Sequence, residues 1–310
     1  MNNNKIKIVF MGTPDFSVPA LRLLHSKYTI EAVVTSADKP KGRGLQLLPS
    51  PVKIEAVKLN IPVLQPVSLK DPEFVSSISM IQPDIIVVIA FKILPKDIYT
   101  QAKIASFNVH GSLLPKYRGA APINWAIING DRRSGLTSFL LKEIVDTGDM
   151  LLKRELKLPE NCTAGDLYEM LMPIAAEIAV STCELIVSGE YKPLPQDDEI
   201  ASPAPKLFKE NCRINWNQNA EIVKNYIHGT SPFPGSWTEY DGQRVKLFRM
   251  VNTSKVIGKP GEFLIDSNHF YIQCSDHCLS VVELQMPGRK QMKCSDFISG
   301  FRGAKTGIFV

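Results

Sequence analysis

The sequence predicts an α/β chain in two parts, a doubly wound domain over residues 1–190 and a smaller β-barrel domain over residues 210–310. Three observations carry this. Apolar runs of strand length alternate with helix-like stretches through the first part, as in a parallel sheet wrapped by helices. The run Asp84–Ala90 (DIIVVIA) is apolar nearly throughout, the mark of a strand covered on both faces. Beyond residue 210 the runs are short, regularly spaced and punctuated by Gly, Asp, Asn and Pro, which suits a small closed barrel.

In chain order, Lys5–Met11 reads as the first strand, closed by Gly12-Thr13-Pro14-Asp15. A helix follows, with Phe16, Ala20, Leu21, Leu23 and Leu24 on its apolar side, Asp15 or Ser17 as its cap and Pro19 in its first turn. Ile30–Ser36, Asp84–Ala90, Ile104–His110 and Leu136–Leu141 are the further strands of this half. Ala164–Gly189 has the longest helical pattern, with Pro173 predicting a kink or break inside it. Residues 191–209 carry Pro193, Pro195, Pro203 and Pro205 among Asp197, Asp198, Glu199 and Ser202, and read as a linker. A short helix over Asn217–His228 precedes strands at Val245–Val251, Glu262–Ile265, His269–Cys274 and Cys278–Leu284. The expected architecture is therefore Rossmann-like, followed by an OB-like barrel.

Composition excludes several classes. The 310 residues are 44 % hydrophobic and 22 % charged with a net charge of +5, which is neither a disordered nor a fibrous profile. No apolar stretch is expected to approach the ~18 residues needed to span a bilayer. The start, Met1-Asn2-Asn3-Asn4-Lys5, lacks the features of a secretion signal, so a cytoplasmic protein without membrane attachment is expected. The six cysteines are scattered, and Cys274-Ser275-Asp276-His277-Cys278 has no second ligand pair at zinc-site spacing, so no metal is expected. Gly12-Thr13-Pro14-Asp15-Phe16 lacks the three glycines of a dinucleotide fingerprint, which disfavours a nicotinamide cofactor.

The positive charge is uneven. Residues 207–310 hold 13 basic and 9 acidic side chains, whereas residues 1–206 hold 23 and 22. Within Asp38–Lys58, five cations (Lys39, Lys41, Arg43, Lys53, Lys58) face Asp38 and Glu55. Both biases have the sign that a phosphate backbone requires.

The most informative stretch is Phe107–Pro122 (FNVHGSLLPKYRGAAP). Asn108 and His110 stand two apart at a strand end, so their side chains leave the same face. A carboxamide beside an imidazole suits holding an oxyanion and moving a proton. Asp146-Thr147-Gly148-Asp149 follows a later apolar strand, and Asp146 is in a position to reach His110 and set its tautomer. Ser112 lies outside Gly-x-Ser-x-Gly and has no base positioned by sequence, so no nucleophile motif is present.

Taken together, Asn-x-His-x-Ser-Leu-Leu-Pro and Asp-Thr-Gly-Asp resemble the formyltransferases that use 10-formyltetrahydrofolate. The resemblance extends through residues 11–16 (MGTPDF), 41–44 (KGRG), 49–53 (PSPVK) and 117–123 (YRGAAPI). It continues at 214–216 (INW) and 232–235 (PFPG), and so covers essentially the whole chain. It implies a catalytic trio of Asn108, His110 and Asp146. It also implies a folate site at Ile89, Phe91, Leu94 and the Ser112, Leu113, Leu114, Pro115 loop, and a contact from Arg43 to a tRNA acceptor end. The implied acceptor is the α-amino nitrogen of methionine on initiator tRNA, formylated by a monomer without a metal. The chain departs from the family at Lys92, where glycine is common, and at Leu45-Gln46-Leu47, where relatives often carry more basic residues.

Overall fold

The computed structural model describes residues 6–41 and 46–310. The chain divides into two compact units, neither of them continuous in sequence. The first comprises residues up to Gly119, then Gly135–Leu156 and Tyr168–Pro203; the second comprises Ala120–Ser134, Lys157–Leu167 and Ala204–Val310.

The first unit is built on β1 (Lys7–Gly12), α1 (Val18–His25), β2 (Thr29–Val34), a short pair β3 (Lys39–Lys41) and β4 (Gln46–Leu48), and α2 (Pro51–Lys58). Next come β5 (Val63–Leu64), α3 (Pro72–Ile81), β6 (Ile85–Ile89), α4 (Lys96–Tyr99) and β7 (Ala105–His110). After α5 (Pro122–Ile128), which belongs to the second unit, follow β8 (Arg133–Leu140), β9 (Met150–Lys157) and α6 (Ala164–Ser188), each of them mostly in the first. The sheet order is β5-β2-β1-β6-β7-β8-β9. Strands β5 to β7 run parallel, and β8 lies antiparallel to β7. Strand order reverses between β1 and β6, which opens a crevice at their carboxyl ends. Every residue of β6 is buried, as its unbroken apolar run requires.

Local chemistry sets the helix starts. Ser50 accepts the N–H of Lys53 and Asp71 that of Glu73, each followed by a proline in the first turn. The start of α1 differs from expectation, because neither Asp15 nor Ser17 caps it. The Ser17 hydroxyl donates to the Ile89 carbonyl at 2.7 Å, while the Asp15 carboxylate accepts the Tyr168 hydroxyl. Tertiary partners outbid the local cap.

Helix α6 corrects two expectations. It is a single helix across Pro173, so of the kink or break expected there the break does not occur. By length and composition it is long and apolar enough to cross a membrane, contrary to the expectation that no stretch approaches that length. Leu171, Ala175, Ile178, Ala179 and Cys183 are buried in the protein interior, which is what the apolar sequence serves. The stretch read as a linker is also tied down. Leu194 exchanges backbone hydrogen bonds with Met150 at 2.8 and 2.9 Å, and the Ser202 carbonyl accepts the N–H of Arg118 at 2.8 Å.

In the second unit, α7 (Ala220–Gly229) is followed by β10 (Ser236–Tyr240), β11 (Gln243–Asn252), β12 (Glu262–Ile265) and β13 (Phe270–Gln273). Then come β14 (Cys278–Gln285), β15 (Met292–Lys293), α8 (Cys294–Gly300) and β16 (Thr306–Ile308). The antiparallel order is β10-β11-β14-β13-β12-β16. Glu239 of β10 and Val310 exchange backbone hydrogen bonds at 3.1 and 3.0 Å, so the two ends of this curled sheet meet and close the barrel. Val245, Leu247, Phe263, Ile272, Leu279 and Phe309 fill it. Helix α5 packs with α7, and a Cβ on Gly229 would stand 2.4 Å from Ile128, so this close approach needs glycine.

His228, on α7, is buried, and its Nε2 accepts the N–H of Met250 at 3.0 Å. Burial, reinforced by the Lys224 and Arg249 cations, pushes its pKa down from 6.5 to about 4. Between these values the unfolded chain binds a proton that the folded chain refuses. Stability is therefore full above about pH 6.5 and falls as pH drops toward 4, by at most about 1.4 kcal/mol per pH unit. Denaturant unfolding of the parent and His228→Gln at pH 7 and pH 5 checks this. The parent should lose more on acidification, and parallel losses would refute it.

Candidate active site

All described residues of the expected site belong to the first unit. Asn108 pairs with Val88 of β6 and Phe139 of β8, and His110 pairs with Thr137. The alternation of β7 therefore puts Asn108 and His110 on one face at the carboxyl end of a strand beside the crevice. The carboxamide Oδ1 of Asn108 is buried without a hydrogen-bond partner. An unsatisfied buried amide oxygen of this kind is costly, on the order of 1–3 kcal/mol, and points to a ligand N–H or O–H that completes it.

The His110 ring is 6 % exposed and Asp146 10 %, with Nδ1 and Oδ2 at 3.8 Å. Asp146 Oδ2 accepts the N–H of Gly119 at 2.9 Å. His110 Nε2 lies 2.8 Å from the Tyr117 carbonyl, and because a carbonyl only accepts, Nε2 carries a proton. This corrects one expectation: the Tyr117 backbone, rather than Asp146, selects the tautomer. Nδ1 is left as the nitrogen that faces the carboxylate.

The folate-site residues divide by burial. Phe91 and Leu94 are partly exposed and pack on the cluster of Met11, Val88 and Ile98, on the same sheet face as Asn108. Ile89 is fully buried on the opposite face of β6, so its side chain is withdrawn; Lys92 is exposed. In the loop after β7, Ser112, Leu114 and Pro115 are buried and Leu113 is partly exposed. This loop offers mainly backbone and one leucine. Arg43 lies outside the described residues. Of the cations within Asp38–Lys58, Lys53 is spent on Asp38 at 2.7 Å, and Lys53 with Gln65 holds the Asp38 carboxyl below its usual range.

Several contributors were not singled out from the sequence. Thr137 donates to the Ser112 carbonyl at 2.8 Å and accepts the Leu114 N–H at 3.0 Å, pinning the loop after β7. Gln196 donates to the carbonyls of Asp146 and Gly148, both at 2.8 Å, and accepts from Arg118 Nε at 3.0 Å. Asp146 has φ 57°, and a Cβ on Gly148 would stand 1.6 Å from the Leu140 carbonyl oxygen. The Asp-x-Gly spacing was the available signal for this turn. Thr137 and Gln196 carry none, because each acts through a carbonyl distant in sequence.

A carboxamide and an imidazole on one face of a strand end, with a carboxylate beside the imidazole, have the chemistry that transfer of a small acyl group requires. The formyl transferase family model matches residues 5–182, and the formyl transferase C-terminal domain model matches residues 206–302. The chain belongs to the formyl transferase family. It is 44 % identical over 299 residues to methionyl-tRNA formyltransferase of Clostridium novyi (strain NT), covering 95 % of this chain and 97 % of that one. In fold it is similar to methionyl-tRNA formyltransferase from Clostridium thermocellum, with a TM-score of 0.56 and 19 % identity over 80 % of this chain and 94 % of that one. It is also similar to WlaRD, a sugar 3N-formyl transferase solved in the presence of dTDP and 5-N-formyl-THF, with a TM-score of 0.68 and 21 % identity over 92 % and 99 % of the two chains.

Proposed function

We propose that this chain transfers the formyl group of 10-formyltetrahydrofolate to the α-amino nitrogen of methionine on initiator tRNA, acting as a cytoplasmic monomer in translation initiation. The observation that carries the chemistry is the orphaned Asn108 carboxamide beside the His110–Asp146 pair. The acceptor assignment is supported by 44 % identity across nearly the whole length of a methionyl-tRNA formyltransferase.

In this reading the methionyl nitrogen attacks the formyl carbon, a C–N bond forms, and the bond to the folate N10 breaks. Asn108 Nδ2 donates to the oxygen on which negative charge grows, while its unpartnered Oδ1 accepts an N–H of the attacking nitrogen. His110 Nδ1 and Asp146 take the proton from the attacking nitrogen and return one to the departing N10. Phe91 and Leu94 supply an apolar wall for the pterin, the Ser112, Leu113, Leu114, Pro115 loop supplies backbone polar groups, and Ile89 contributes through its backbone. Arg43 contacts the acceptor end, and the basic excess of residues 207–310 attracts the phosphates. The machinery needs no metal.

The test offers methionyl-tRNA, glycinamide ribonucleotide and a nucleotide-linked amino sugar in parallel, with 10-formyltetrahydrofolate as donor. Formylation of methionyl-tRNA should dominate, and its apparent affinity should fall at least about tenfold between roughly 50 and 200 mM salt through counterion release. Preference for a small acceptor, or salt-independent use of tRNA, would refute the reading.

A further inference from the structure

We infer that Gln196 is a positioning residue for formyl transfer, holding the turn that carries Asp146 in register with His110; this rests on the function proposed above. Locally the Asp146 turn is tied only on its Thr147 side, where the Thr147 hydroxyl and N–H donate to the Ile144 carbonyl at 2.8 and 3.4 Å. Asp146 adopts φ 57°, a left-handed conformation that a non-glycine residue keeps only when its surroundings impose it. Its side chain reaches Gly119 rather than its own turn. The Gln196 Nε2 donates to the carbonyls on either side of Thr147, those of Asp146 and Gly148, each at 2.8 Å. Both amide hydrogens are thereby used on one turn.

The opposite end of the carboxamide is anchored as firmly. Gln196 Oε1 accepts Arg118 Nε at 3.0 Å, and Arg118 also donates to Asp198 at 2.7 Å. Arg118 lies between Tyr117, whose carbonyl holds His110 Nε2, and Gly119, whose N–H holds Asp146 Oδ2. The backbone of this segment is fastened in turn by Ser202, through the N–H groups of both Tyr117 and Arg118. Gln196 thus joins the segment that orients His110 to the turn that presents Asp146. The 3.8 Å between Nδ1 and Oδ2 depends on that junction. Displacements near 1 Å at such a pair cost about a hundredfold in rate.

Two variants of nearly the same size separate positioning from bulk stability. Gln196→Glu keeps the acceptor for Arg118 but sets carboxylate oxygen against the two carbonyls, and Gln196→Met removes all three bonds. Both should lower kcat about 10- to 100-fold, with KM for donor and tRNA within about twofold. A double-mutant cycle supplies the second readout. On an Asp146→Asn background, Gln196→Met should cost less than about threefold in single-turnover rate, because the group it positions is already disabled. Parent-like kcat in either variant, a loss confined to KM, or full additivity with Asp146→Asn would overturn the inference. If the unaltered chain forms no formylmethionyl-tRNA, the functional reading itself has failed; if it does and the Gln196 variants match it, only the positioning role has failed.

Discussion

Asn108→Ala is expected to lower kcat for methionyl-tRNA formylation about 10²–10³-fold, the usual loss on removing one donor to a developing oxyanion. KM for tRNA should stay within about twofold, since the carboxamide acts where charge grows rather than on the bulk of the substrate. The fold should tolerate the change. Oδ1 is already buried without a partner, so truncation relieves an unsatisfied polar atom instead of breaking a bond. Steady-state kinetics on a variant with a parent-like unfolding transition measures this. Turnover within a few-fold of the parent would remove Asn108 from the chemistry.

Asp146→Asn should act as strongly, lowering kcat by about 10²–10⁴-fold, the range for loss of a positioned proton-transfer group. The substitution is well matched to its purpose. Asparagine tolerates the left-handed backbone at φ 57° and keeps an oxygen to accept the Gly119 N–H, so the turn persists while the charge is lost. Folate binding, followed by fluorescence quenching, should be retained. Unchanged turnover would make Asp146 a turn residue and nothing more.

Much of the architecture could be read directly from residue patterns. The buried run of β6 and the alternation that puts Asn108 and His110 on one face depend only on strand geometry. Four barrel strands beyond residue 210 were legible for the same reason, but β10 (SWTEY), with its mixed polar sequence, and the very short β15 and β16 were not. Where reading failed, a tertiary contact outweighed a local preference. Ser17 serves Ile89 rather than its helix, and the proline-rich stretch after α6 is fastened by Leu194, Gln196 and Ser202.

The residue pattern by itself determined which chemical groups the proposed site offers, because a carboxamide, an imidazole and a carboxylate have their capacities wherever they stand. It also determined that two of them share a strand end, since a period of two is a property of the strand. Only the tertiary structure decided which nitrogen of His110 bears the proton. That choice lies with the Tyr117 carbonyl, held in place by Ser202, 85 residues away in sequence. It alone decided, too, that the Asp146 turn is gripped from Gln196, 50 residues downstream. Hydrogen bonds between such distant positions have no period and no local signature; they exist once the sheet has brought their partners within about 3 Å.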